Sequence, residues 1–150
     1  MSIDQSFCRE FSLKRVSKTI ELMAAVSKLH DPQCELLLLR NCAGVGRLSY
    51  ALRTCPSDLL SEAQLQFDLA LRTSLKRIVT TSGPGFGNWQ WRLATLPIKM
   101  VGLRIYSAGG VINYAFLASR LHTSLLQAKI LANNDLSSLV PSFEWALALF

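Results

Sequence analysis

The sequence predicts an all-α fold, an irregular bundle of about five to seven helices joined by short connections. Three observations carry that expectation. Apolar residues recur at helical spacing along nearly the whole chain. Capping and breaking residues, among them Asp31-Pro32, Ser61, Pro97 and Ser107, punctuate the pattern at helix-length intervals. Only Ile98 to Ile105 reads as a strand, and one short isolated stretch builds no sheet.

Taken in order, Val16, Ile20, Met23 and Ser27 form one stripe, flanked by Leu22, Val26 and Leu29, and predict a first helix over about residues 12–29. Asp31 is a good N-cap and Pro32 suits the first helical position, so a second helix runs from Pro32 to about Cys42. Leu36 to Leu39 make that helix apolar on almost every side, which predicts the most buried element of the fold. Gly44-Val45-Gly46 permits a sharp bend, and Arg47 to Arg53 reads as a short helix closed by Cys55-Pro56. Ser61-Glu62-Ala63-Gln64 matches a capping box that opens a helix to about Thr80. Phe67, Leu71, Leu75 and Ile78 give its core face, and Asp68 and Arg72 form an i,i+4 pair in the favourable order.

Ser82 to Gly87 is the clearest loop, a close-packing turn or hinge at 81–88 within a single helical domain over 1–150. Its alternating glycines lack the G-x-G-x-x-G spacing and the preceding strand of a nucleotide fingerprint. Trp89 and Trp91 are expected to anchor the loop to the core. Ser107 caps a helix to about His122, Leu125 to Leu131 add another apolar turn or two, and Asn133-Asn134-Asp135 breaks the chain. Pro141 opens a last short helix over Ser142 to Phe150, whose apolar end (Trp145, Leu147, Leu149, Phe150) is expected of a truncated chain. The expected buried set includes Leu36, Leu37, Leu39, Leu71, Leu75, Trp91, Leu93, Leu117 and Leu121.

Composition narrows the function classes. Half of the residues are apolar and 17% are charged, against about 25% in an ordinary globular domain. So apolar a surface points to a missing partner or neighbouring domain. No apolar run approaches the roughly 18–20 residues of a membrane helix, and Met1 to Glu10 is too polar for a secretory signal. An intracellular protein of the nucleus or cytoplasm, not secreted, is expected. Cys8, Cys34, Cys42 and Cys55 have no C-x-x-C spacing and read as reduced, buried thiols. His30 and Cys34 stand four apart and read as ordinary side chains near a helix start. His30 and His122 have no nucleophile–base–acid set around them, so an independent enzyme is poorly supported. The ten acidic residues are scattered and no two are adjacent, whereas two-metal nucleotidyl transfer needs closely set carboxylates holding Mg²⁺ ions about 3.5–4 Å apart. The net charge of +6 favours an anionic partner such as nucleic acid.

Several strings point to one family. They are Ser6 to Phe11 with Lys14-Arg15-Val16, Asp31 to Arg40, Leu48 to Pro56, Ser82 to Pro97, and Asn113 to Leu121. Over about residues 6–132 the chain resembles non-LTR-retrotransposon-type reverse transcriptases of plant retroelements, in the helical region after the catalytic palm. The resemblance implies a thumb-like or connecting region of a longer RNA-directed DNA polymerase. It further implies a palm domain N-terminal to this segment, with Mg²⁺ held only in the intact parent and no cofactor or small-molecule substrate bound here. The family's metal-binding Asp-Asp turn has no counterpart in these residues, so no catalytic residue is carried over. Such a thumb would grip the primer–template backbone of RNA or DNA. Lys14, Arg15 and Lys18 are the leading contact candidates, since Lys14 and Lys18 share a helix face and repel each other unless an anion lies between them. Arg47, Arg92 and Lys99, near bends, are secondary candidates. The alternative is a helical protein-interaction module without enzymatic activity.

The departures from the family are specific. The family tends to have Gly-Gly-Leu-Gly where this chain has Val101-Gly102-Leu103-Arg104, and an acid where Gly110 stands. If the replaced glycines need positive φ, each replacement costs on the order of 1–2 kcal/mol. That pattern is expected of a decaying copy.

Overall fold

The computed structural model describes residues 4–80 and 85–131. Their architecture is all-α: α1 (Gln5–Val26), α2 (Pro32–Asn41), α3 (Ser49–Thr54), α4 (Ser61–Val79), α5 (Asn88–Thr95) and α6 (Ala108–Leu131), with 3-10 turns at Ser27–Leu29, Val45–Leu48, Ser57–Leu60 and Ile98–Met100. No strand occurs among the described residues. The break at 133–135, the helix at 142–150 and Thr81 to Pro84 of the expected hinge lie outside them.

α4 is the spine. Its Phe67, Leu71, Leu75 and Ile78 are buried at i, i+4 and i+3 spacing, as the sequence predicts. α1 packs along α4, α2 packs against both, and α6 lies on α3 and α4. α1 begins at Gln5, earlier than expected, because the Asp4 carboxylate accepts from the Ser6 N–H at 3.0 Å and caps the first turn. Its inward stripe is Cys8, Ser12, Val16, Thr19, Met23 and Val26. The two hydroxyls in that stripe satisfy themselves within the helix: Ser12 donates to Arg9 O and Thr19 to Arg15 O, both at 2.8 Å.

Several expectations are overturned. α2 is not the most buried element, for only Glu35 and Leu39 are buried and Leu37 is exposed. Four successive leucines spaced 100° apart cannot all face one bundle. The inward pair is i,i+4, and Glu35 occupies it by meeting Arg77 of α4 at 2.5 Å. Ser61 does not cap α4. It already has helical φ and ψ, since the preceding 3-10 turn runs straight into the helix, and its hydroxyl donates to Asp58 O at 3.1 Å. Asp68 and Arg72 do not pair. The Asp68 carboxylate accepts from the Ala108 and Gly109 N–H groups at 2.6 and 3.0 Å and caps α6 from across the bundle. Ser107 Oγ accepts from Gly110 N at 3.0 Å. Asp68 and Ser107 thus divide the first N–H groups of α6 between them. Arg72 instead donates to Asn88 Oδ1 at 2.7 Å and lies over the Trp91 ring.

Trp91 does pack on the core, but Trp89 is exposed, as are Leu93 and Leu121. Leu36 is half-buried. No break falls between His122 and Leu125: Thr123 and Ser124 donate back to Ser119 O and Leu121 O at 2.9 Å, and α6 runs on. The strand-like stretch folds back on α5 instead, with Leu103 and Ile105 N–H both donating to Ala94 O and Arg104 N–H to Leu96 O. That reversal places Val101 and Arg104 at φ 63° and 55°. Val101 and Arg104 thus both lie in the left-handed region.

Candidate nucleic-acid interface

α1 sorts its residues by side. Against the buried stripe stands an exposed face carrying Lys14, Arg15 and Lys18. Lys14 and Lys18 are one turn apart and neither makes an ion pair among the described residues. Glu10 and Glu21 flank them at i−4 and i+3 on the same helix, so the face is cationic in its middle and acidic at its margins. Arg15 is not a bare cation: its guanidinium carbon lies 5.2 Å from the centre of the Phe11 ring.

Phe11 belongs to a row of rings that apolar periodicity alone does not single out. Phe7 and Phe11, one helical turn apart, stack with centroids 5.9 Å apart and planes 20° apart. Tyr50 of α3 meets Phe11 edge-on, at 6.0 Å and 71°. Phe11 is held half-buried against the core, but Phe7 is 60% exposed and Tyr50 67%. The i,i+4 spacing of the two phenylalanines is a signal present in the sequence; the arrival of Tyr50 depends on how α3 docks.

The structure gathers some of the candidate cations and separates others. Arg47 sits in the 3-10 turn that packs on α1, and its Nε donates to Cys42 O at 2.8 Å. It therefore closes the C-terminus of α2 while remaining exposed. Arg53, three residues after Tyr50, is exposed as well and is not among the cations expected from sequence. Arg92 on α5 and Lys99 in the next turn are exposed but sit apart, since α5 makes no comparable packing with α1.

The thiols divide evenly. Cys8 and Cys55 are buried, whereas Cys34 and Cys42 are exposed, which corrects the expectation of four buried thiols. Burial pushes the Cys8 thiol up to about 11, and the neighbouring Cys55 adds to the shift. At the start of α2, a hydrogen bond to Asp31 raises Cys34 above its ordinary value, and the same bond with two backbone N–H donors holds Asp31 below its own. His30, at φ 55°, ends the preceding 3-10 turn. Among the described residues no three of His, Cys, Asp and Glu come together in a way that would hold a metal ion. No described helix is long and apolar enough to cross a membrane.

No family model matches the chain, and comparison with curated proteins and with solved structures likewise finds no match.

Proposed function

We propose that this chain is a non-catalytic helical region that binds the phosphate backbone of nucleic acid, acting as the thumb-like part of a reverse transcriptase whose palm precedes it. One observation carries this reading: Lys14, Arg15 and Lys18 project from one exposed face of α1, with the Phe11 ring against Arg15, and no ion pair among the described residues neutralises them. Two lysines a turn apart repel each other, and a phosphate between them relieves that cost. The net charge of +6 favours the same partner. An intracellular site of action goes with it, in the nucleus or the cytoplasm. The test is the salt dependence of binding to a hybrid or duplex oligonucleotide. Removing one phosphate-binding cation flattens the slope of log K against log salt by about 0.9. Lys14→Gln, Arg15→Gln and Lys18→Gln together are expected to flatten it by about 2–3; an unchanged slope removes α1 from the interface.

A second reading, a protein-interaction module, draws on a different surface. Leu65 and Leu69 on α4 are 66% and 69% exposed, and Leu69 lines a shallow groove of about 510 Å³ with Ile20 and Met23 of α1. A stoichiometric protein partner that no longer binds Leu69→Ser, with oligonucleotide binding intact, would favour it.

A further inference from the structure

We infer that Phe7, Phe11 and Tyr50 form a platform on which unpaired bases of a single strand stack, so that this face holds unpaired bases in addition to the phosphate backbone. The inference rests on the nucleic-acid reading above and adds what kind of strand the face takes.

Phe11 is the fixed member, packed on the core and covered by Arg15. Phe7 extends it almost in parallel toward the start of α1, and Tyr50 walls it from α3. Phe7 and Tyr50 have room to present ring surface, being 60% and 67% exposed. Exposed rings held by ring–ring contacts are a ready surface for a flat, apolar-faced ligand. The charge around them selects which one. Lys14, Arg15 and Lys18 continue along α1, while Arg47, held by Cys42 O, and Arg53, which lines a groove with α6, stand three residues to either side of Tyr50 in the chain. Against these five cations are Glu10, Glu21 and Asp4, and Asp4 is engaged as the cap of α1. A strand whose bases face the rings can lay its phosphates toward these cations, the combination that sequence-tolerant single-strand binders use. A base inside a duplex offers no free face to a ring. The groove between α1 and α4 makes the contrast: the cation among its described lining residues, Arg77, is committed to Glu35.

The experiment compares the full chain and its Phe7→Leu/Tyr50→Leu variant on three ligands: a thymidine oligonucleotide of about twelve residues, an abasic oligonucleotide of equal length, and a blunt duplex. Both substituted side chains are exposed and leucine keeps them apolar, so the fold is expected to stand; matching circular dichroism melts check it. The expected result is that wild type prefers the thymidine strand over the abasic one by about 5- to 150-fold, one base's worth of stacking. The variant should lose most of that preference while keeping its abasic and duplex affinities and its salt slope. Equal affinity of wild type for the thymidine and abasic strands overturns the platform and leaves backbone binding intact. So does a variant that binds the thymidine strand like wild type. Failure to bind all three ligands at low salt overturns the nucleic-acid reading itself. A wild-type dimer that the variant dissociates, with unchanged oligonucleotide affinity, makes the rings a contact between two copies and also overturns the inference.

Discussion

Replacing Val101 with glycine should make this protein more stable, although it removes a whole side chain. Val101 ends the Ile98–Met100 turn at φ 63° and ψ 19°, and its side chain is 94% exposed. Truncation therefore forfeits almost no packing. The backbone bonds around it, Val101 N–H to Ile98 O at 2.9 Å and Gly102 N–H to Pro97 O at 3.1 Å, need no side chain. A β-branched residue in the left-handed region costs about 1–3 kcal/mol. Glycine removes that cost but adds chain entropy to the unfolded state, worth about 0.4–1 kcal/mol. The net expectation for Val101→Gly is a gain of about 0–2.6 kcal/mol, centred on ~1.3, which at the centre is roughly 3–5 °C in Tm for a chain of this length. Arg104→Gly, at φ 55° and also exposed, should gain somewhat less because arginine is not β-branched. Gly102→Ala is the opposite control. Its added Cβ would lie 2.0 Å from Leu96 O, so the turn must open at about 1–3 kcal/mol or more. Urea denaturation followed by circular dichroism, with the m-value checked for constancy, measures all three. A Val101→Gly variant that is less stable at unchanged m refutes the reasoning, because it would mean the valine contributes more through contacts than its conformation costs.

Other outcomes follow from particular contacts. Asp68→Ala should cost about 1–2 kcal/mol by uncapping α6, with protection from hydrogen exchange disappearing first at Ala108 and Gly109. Arg77→Met leaves the buried Glu35 carboxylate without its cation and should cost about 1–3 kcal/mol, less than a fully buried pair because Arg77 is 44% exposed; the double variant Glu35→Leu/Arg77→Met should recover most of it. Cys8 sits above its ordinary value of 9.0, at about 11, so its contribution to stability is complete below pH 9 and disappears as the pH rises toward 11. In that window wild type should lose stability more steeply than Cys8→Ala; parallel curves in alkaline denaturation would show that the thiol does not stay protonated in the fold.

The sequence is most readable where one helix face does one job. The inward stripe of α4, Phe67, Leu71, Leu75 and Ile78, is buried as its period predicts, although Leu65 and Leu69 add exposed apolar residues on the other side. It is least readable where inward positions hold polar atoms. Ser12 and Thr19 face the core because each donates to its own helix, and Glu35 does so because Arg77 arrives from a helix some forty residues away. Apolar periodicity passes over such positions, so it starts the first helix too late and weighs α2 by its leucines. Caps split in the same way. Asp31 binds Gln33 and Cys34 N–H within its own turn and is legible; Asp68 caps a helix it does not begin, and its spacing suggests Arg72 as a partner instead. The left-handed positions, Val101 and Arg104, carry no such mark: neither is the glycine that reaches this conformation without strain, so local residue type does not announce them.

The candidate interface divides along the same line. Its charges are legible, since Lys14, Arg15 and Lys18 occupy one face of any helix through residues 14–18. What fixes their surroundings is not. Arg15 is held by Phe11, and Phe11 is held by Phe7 from its own helix and by Tyr50 from α3. A free arginine on a helix surface samples many rotamers and gives up that entropy when it binds; one already stacked on a ring has given up part of it on folding. Phe11→Leu should therefore weaken backbone binding even though leucine carries no charge and touches no phosphate. The loss should fall on affinity and leave the salt slope unchanged, because the number of cations is the same. A slope that flattens by about one unit would instead mean that Arg15 leaves the interface altogether once its ring is gone.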